Sequence, residues 1–149
     1  MMRLETVAQD LSERLRKASP KQQHAASIAA CQLALQAASV DEPIALESLE
    51  QLRQQGTLSI QRVTELIALA EQLDSEYFEL QDQSEINQVF QADALRLFGQ
   101  ARAIAAIAFA GGKDVLTAAM EAIYEASVTV DDPGRVFDAA FVALSEDQR

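Results

Sequence analysis

The chain has 149 residues, 49% hydrophobic and 23% charged, a size and composition that suit one globular domain burying about 70% of its unfolded surface without a covalent or metal staple. Its 23 acidic and 12 basic residues give a formal charge of −11. That field disfavours nucleic acid and anionic membrane as partners and complements a cationic one, or confers solubility alone. One cysteine, Cys31, excludes an internal disulfide, and one histidine, His24, excludes both a Cys/His zinc site and a di-iron bundle built on two Glu-x-x-His pairs.

Met2 to Lys17 places Leu4, Val7, Ala8, Leu11, Leu15 and Ala18 at three- and four-residue spacings, which predicts a first amphipathic helix. Its nearest approach to a basic patch, Arg14, Arg16, Lys17 and Lys21, is diluted by Asp10 and Glu13. The stretch has no continuous apolar core of the kind a secretory leader carries, so a cytoplasmic chain is the expectation. Ser19-Pro20 with Gln22 reads as a capping box opening a second helix to about Ser39, with Ile28, Cys31, Leu35 and Ala38 on one face. Asp41-Glu42-Pro43 starts a third, with Leu46, Leu49 and Leu52 directed inward and Gly56 as its stop.

Thr57 or Ser59 caps a fourth helix reaching about Asp82, its stripe formed by Val63, Leu66, Ile67, Ala70, Leu73, Tyr77 and Leu80. Ser84 opens a fifth, covering about 85–110 and closed by Gly111-Gly112. Between Ala103 and Ala110 this helix carries no polar side chain. A helix apolar on all sides must be surrounded by other helices, and this run falls short of the roughly 20 apolar residues that span a bilayer. The expected fold is therefore all-α, a single domain of about seven helices packed around this central alanine-rich helix. Alanine, at 27 positions, is both a strong helix former and small enough to let helix axes approach. A sixth helix runs from about Asp114 to Thr129 through Val115, Leu116, Ala119, Ile123 and Ala126, and Asp132-Pro133 launches a seventh with Val136, Ala140, Phe141 and Leu144 apolar. The starts Val40-Asp41-Glu42-Pro43 and Val130-Asp131-Asp132-Pro133 echo each other, and the flanking helices pair Leu33 with Ile123 and Leu46 with Val136. Convergence on a good helix start accounts for the echo more simply than duplication.

Candidate chemistry is sparse. Cys31 lies seven positions from His24 on an apolar face and reads as a buried, inert thiol. Glu121 and Glu125, one turn apart beside Tyr124, have the spacing of an acid–base pair or a cation site, although the solvated side of an amphipathic helix is the plainer reading. Gly111-Gly112-Lys113 lacks the P-loop spacing and reads as a C-cap and turn. No catalytic role, cofactor or metal is expected.

The stretch between Arg62 and Arg96 stands apart. It holds eight acids, including Glu71, Asp74, Glu76, Glu79 and Asp82, and no lysine or arginine. Phe78 falls off the apolar stripe among them. An exposed aromatic ringed by carboxylates has the anatomy of a binding site for a basic protein, whereas a Phe78 folded over the core would leave only a solvated helix end. Both readings are open on sequence. The expected partner-binding set is Glu71, Asp74, Glu76, Phe78, Glu79 and Asp82.

From Gln23 to Gly56 an alanine-rich helix with a cysteine, HAASIAACQLAL, is followed by DEP and by a short helix ending in glycine, ALESLEQLRQQG. This order, with the later ARAIAAIAFA and EAIYEA, resembles predicted immunity proteins of bacterial toxin systems. The chain departs from that group in lacking tryptophan and further histidines. The resemblance implies packed helices and a non-catalytic protein that occludes a toxin or enzyme. Two other classes stand beside it: a structural or homo-oligomeric bundle sharing a helix face, and a small-molecule binder, which a pocket with convergent polar groups such as Tyr124 and Glu121 would favour.

Overall fold

The structure, a computed structural model, describes residues 2–84 and 89–146. Among these residues it contains α-helices and no strand: α1 (Arg3–Val7), α2 (Gln9–Lys17), α3 (Pro20–Ala37), α4 (Pro43–Gln55), α5 (Ile60–Ser84), α6 (Val89–Ala110), α7 (Val115–Ser127) and α8 (Pro133–Glu146). The all-α expectation holds. The helix count exceeds the expected seven by one because the first predicted helix is two, broken at Ala8, whose backbone (φ −148°, ψ 69°) leaves the helical region. The break turns α1 onto α7 while α2 runs on to meet α7 and α8. Val7, assigned to the stripe of an unbroken helix, is consequently exposed.

Capping sets several helix ends. Ser19 Oγ accepts the Gln22 amide at 3.1 Å, and Gln22 Oε1 accepts the Ser19 amide at 2.9 Å, completing the expected box ahead of Pro20. Ser59, rather than Thr57, caps α5 by accepting the Arg62 amide at 3.0 Å. Asp114 does the same for Thr117 at 3.1 Å. Gly56 ends α4 in the left-handed region (φ 76°), where a side chain would be strained. Gly111, expected as a C-cap of that kind, has no positive φ. Its role is close packing, since a Cβ there would lie 2.9 Å from Leu58 Cδ1. Ser84 belongs to α5, and the expected start of the next helix near residue 85 lies outside the described residues.

The core is formed where α3, α6 and α7 pack on one another, with α8, α4, α1 and α2 around them. Ala103, Ile104, Ala106 and Ile107 of α6 are fully buried, as are Ala26, Ala30 and Ala34 of α3 and Ala122, Ile123 and Ala126 of α7. Side chains ending at Cβ let these three helices approach closely, and Ile104, Ile107, Met120 and Ile123 fill the space between them. The alanine-rich run is thus central, with Phe109 exposed and Ala105 partly so. Helix α5 lies outside this group, antiparallel to α6: Tyr77 meets Phe98 and Asp74 meets Arg102. Leu46, expected to face inward, is 48% exposed because α4 turns Ala45, Ser48, Leu49 and Leu52 to the core instead. Its sequence counterpart Val136 is fully buried, so the two acid-Pro starts lead into helices packed in different ways.

Candidate functional site

Helix α5 presents the acidic stretch much as its spacing dictates. Glu71, Glu76, Glu79 and Asp82 are exposed along it, and the helix carries no basic residue after Arg62. Phe78 is 60% exposed. It does not fold over the core, so of the two placements left open by the sequence it takes the exposed one. Its ring centroid lies 5.2 Å from that of Tyr77, whose ring in turn lies 5.4 Å from Phe98 of α6. The exposed ring therefore stands on an aromatic stack rather than swinging freely, in tilted geometries of the kind aromatic pairs prefer. At i−4 and i+4 from it stand Asp74 and Asp82, on the same side of the helix.

Asp74 departs from the expected rim. It turns toward α6, where its Oδ2 accepts from Arg102 Nη2 at 2.5 Å. Arg102 Nη1 also donates to Glu125 Oε2 of α7 at 3.1 Å, and Glu125 Oε1 lies 3.0 Å from Arg3 Nη1 of α1. Arg3 Nη2 reaches Glu121 Oε2 at 2.5 Å. Five charged side chains from four helices are joined in this way. Glu125, expected on a solvated face, is only 5% exposed at its side chain. A carboxylate so far from water needs compensating charge, and arginines on both sides supply it. Burial works against the charge on Arg3, but its bonds to Glu121 and Glu125 outweigh burial and raise its pKa above the ordinary value. The Arg3 guanidinium also sits over the Tyr124 ring, 4.4 Å from its centroid. Arg102 Nε is buried with no hydrogen-bond partner among the described residues.

The ion cluster separates two cavities. One, of about 360 Å³, lies among Tyr77, Phe98 and Tyr124. The other is a groove of about 670 Å³ bounded by Val63, Ile67 and Ala70 of α5 and Ala118 of α7, with Ala105 and Ala108 of α6 between them. Arg3, Asp74, Arg102 and Glu125 line both. Glu121 borders the groove and Tyr124 the smaller cavity, so these two convergent polar groups of the sequence analysis do meet cavities of ligand size.

Sequence reasoning missed the cluster. The available signal was Arg102, the one charge in the alanine-rich run ARAIAAIAFA, which on burial must find a carboxylate. Arg3 carried no such signal, because its partners lie more than a hundred residues away. His24 serves the fold, its Nε2 lying 2.8 Å from the Leu52 carbonyl near the end of α4. Among the described residues no group of three or more His, Cys, Asp or Glu side chains is placed to hold a metal. None of their helices is long and apolar enough to cross a membrane.

Fold and site together define an all-α helical protein with a charged cluster between two cavities and an acidic outer helix bearing an exposed aromatic. No protein-family model, curated protein or solved structure matches the chain.

Proposed function

We propose that this chain is a non-catalytic binding protein that presents the outer side of α5 to a basic protein. The observation that carries this reading is Phe78, 60% exposed on its aromatic stack in a helix whose exposed charges beyond Arg62 are all negative. A rigid aromatic anchor within a charged rim is the usual anatomy of an interface hot spot, and like-signed rim charge steers a cationic partner at long range. Glu71, Glu76, Glu79 and Asp82 form the rim, and Asp74 acts from beneath by fixing α5 to α6. Occlusion of a basic toxin or enzyme, as immunity proteins perform it, is the specific form of this reading that the resemblance implies. The unpaired, buried thiol of Cys31 is compatible with action in the cytoplasm. Self-association through the same face is less favoured, because pairing two such helices would set carboxylates against carboxylates.

The test is co-expression with the products of the adjoining genes, followed by association kinetics for the protein that co-purifies. Glu76→Lys/Glu79→Lys is expected to lower the association rate by about tenfold or more at low salt, and Phe78→Ala to speed dissociation, with both variants folded. A basic partner bound equally well by all three proteins would refute this assignment of the surface.

A further inference from the structure

We propose that the groove between α5 and α7 binds a small amphiphilic cation, an apolar chain ending in one ammonium group. The groove exists because side chains that would fill it stop at Cβ: Ala105 and Ala108 on α6, Ala70 on α5 and Ala118 on α7. Larger residues there would have sealed α5 against α7. Val63 and Ile67 make the α5 wall apolar, and Ile67 is left 45% exposed. From Val63 to Asp74 the helix advances about 16 Å at 1.5 Å per residue, close to the length of a dodecyl chain. The volume of about 670 Å³ lies within the range of small-molecule sites, about 300–1,000 Å³.

Charge fixes the class of ligand. The groove is lined by Glu71, Asp74, Asp114, Glu121 and Glu125 against Arg3, Arg102 and Lys113, a net negative charge, with Lys113 just ahead of α7 and both arginines in the ion cluster. Both arginines are already engaged by carboxylates at 2.5–3.1 Å. At the ion cluster an anionic headgroup would have to break those bonds before making its own. Glu71, on the groove wall at i−3 from Asp74, makes no ion pair among the described residues, so its charge is not offset at short range. At the Glu71–Asp74 end a cation completes this arrangement, a neutral headgroup gains little from it, and a carboxylate is disfavoured. The site shares Glu71 and Asp74 with the surface proposed for the protein partner but involves neither Phe78, Glu76 nor Glu79, so either assignment can fail alone.

The test is calorimetric titration with dodecylamine, dodecanol and dodecanoate, each below its micellar concentration. The intact chain is compared with Ala105→Phe, which fills the groove, and Glu71→Gln, which removes the unpaired charge. Thr117→Trp at the exposed rim is the second blocking variant should Ala105→Phe fail to fold. The expected result is binding of one dodecylamine per chain, with dodecanoate weaker by about tenfold or more. Blocking should weaken the amine by a similar factor. Glu71→Gln should cut the preference for amine over dodecanol about threefold or more, and Glu76→Lys/Glu79→Lys should leave the site occupied. No binding of the amine, equal binding of amine and carboxylate, or binding unchanged by a folded blocking variant would overturn the proposal.

Discussion

Replacing Arg102 with methionine tests whether the ion cluster holds α5, α6 and α7 together. The substitution keeps most of the apolar stem and removes the guanidinium that bonds Asp74 at 2.5 Å and Glu125 at 3.1 Å. Removing one member of a buried ion pair costs about 3–5 kcal/mol. Three features of the site lower that figure. Glu125 retains Arg3 at 3.0 Å, Asp74 is 28% exposed and can be hydrated, and the loss of the unpartnered Arg102 Nε relieves a buried unsatisfied donor. A destabilisation of about 2–3 kcal/mol follows. For a chain of this length it corresponds to a fall in melting temperature of roughly 5–10 °C. The second half of the test is Arg102→Met/Glu125→Leu, in which the stranded carboxylate is also removed. Apolar groups in place of a buried ion pair are commonly neutral or better, so the double variant should recover most of the loss, with a coupling energy of about 1–3 kcal/mol. Urea titrations of the four proteins, followed by far-ultraviolet circular dichroism, measure each leg of the cycle. Losses that simply add in the double variant, or an Arg102→Met protein as stable as its parent, would refute the reasoning.

Three further predictions concern the rest of the chain. Ser39 holds a left-handed backbone (φ 55°) just beyond α3, where the Val40 amide returns to the Leu35 carbonyl at 3.0 Å. Ser39→Gly is therefore expected to stabilise the protein by about 0.5–1 kcal/mol in the same urea assay, and a destabilised variant would contradict it. Burial pushes the Cys31 thiol up to about 12. The native protein should thus resist Ellman's reagent at mildly alkaline pH and react only as fast as it unfolds, whereas rapid labelling would place the thiol at the surface. Glu5 bonds Arg16, which together with the Met2 amide holds its carboxyl below the usual range. With its folded pKa depressed, this contribution is present at neutral pH and is lost as pH falls through the folded value. Arg16→Ala should move the Glu5 titration, read by carboxyl NMR shifts, back up toward that of a free glutamate. An unmoved titration would show that Arg16 is not the cause.

The chain by itself determined what depends on neighbours a turn or two away. Ser19 with Gln22, Asp114 and Gly56 end helices through bonds spanning three or four residues, and an apolar stretch such as Ala103–Ala110 can only be central whatever surrounds it. The acidic character of α5 and the off-stripe position of Phe78 were legible for the same reason. Whether Phe78 stays exposed was decided by packing, through the stack on Tyr77 and Phe98. So was the break at Ala8, which no proline or glycine announces and which lets Arg3 reach Glu121 and Glu125. Leu46 and Glu125 carry the same lesson in opposite senses, since a hydrophobic stripe fixes which residues share a face but not which face meets a neighbour. The cluster and its groove bring together residues from both ends of the chain. Their proximity comes from how alanine-lined helices stack, a long-range outcome that local propensity does not encode.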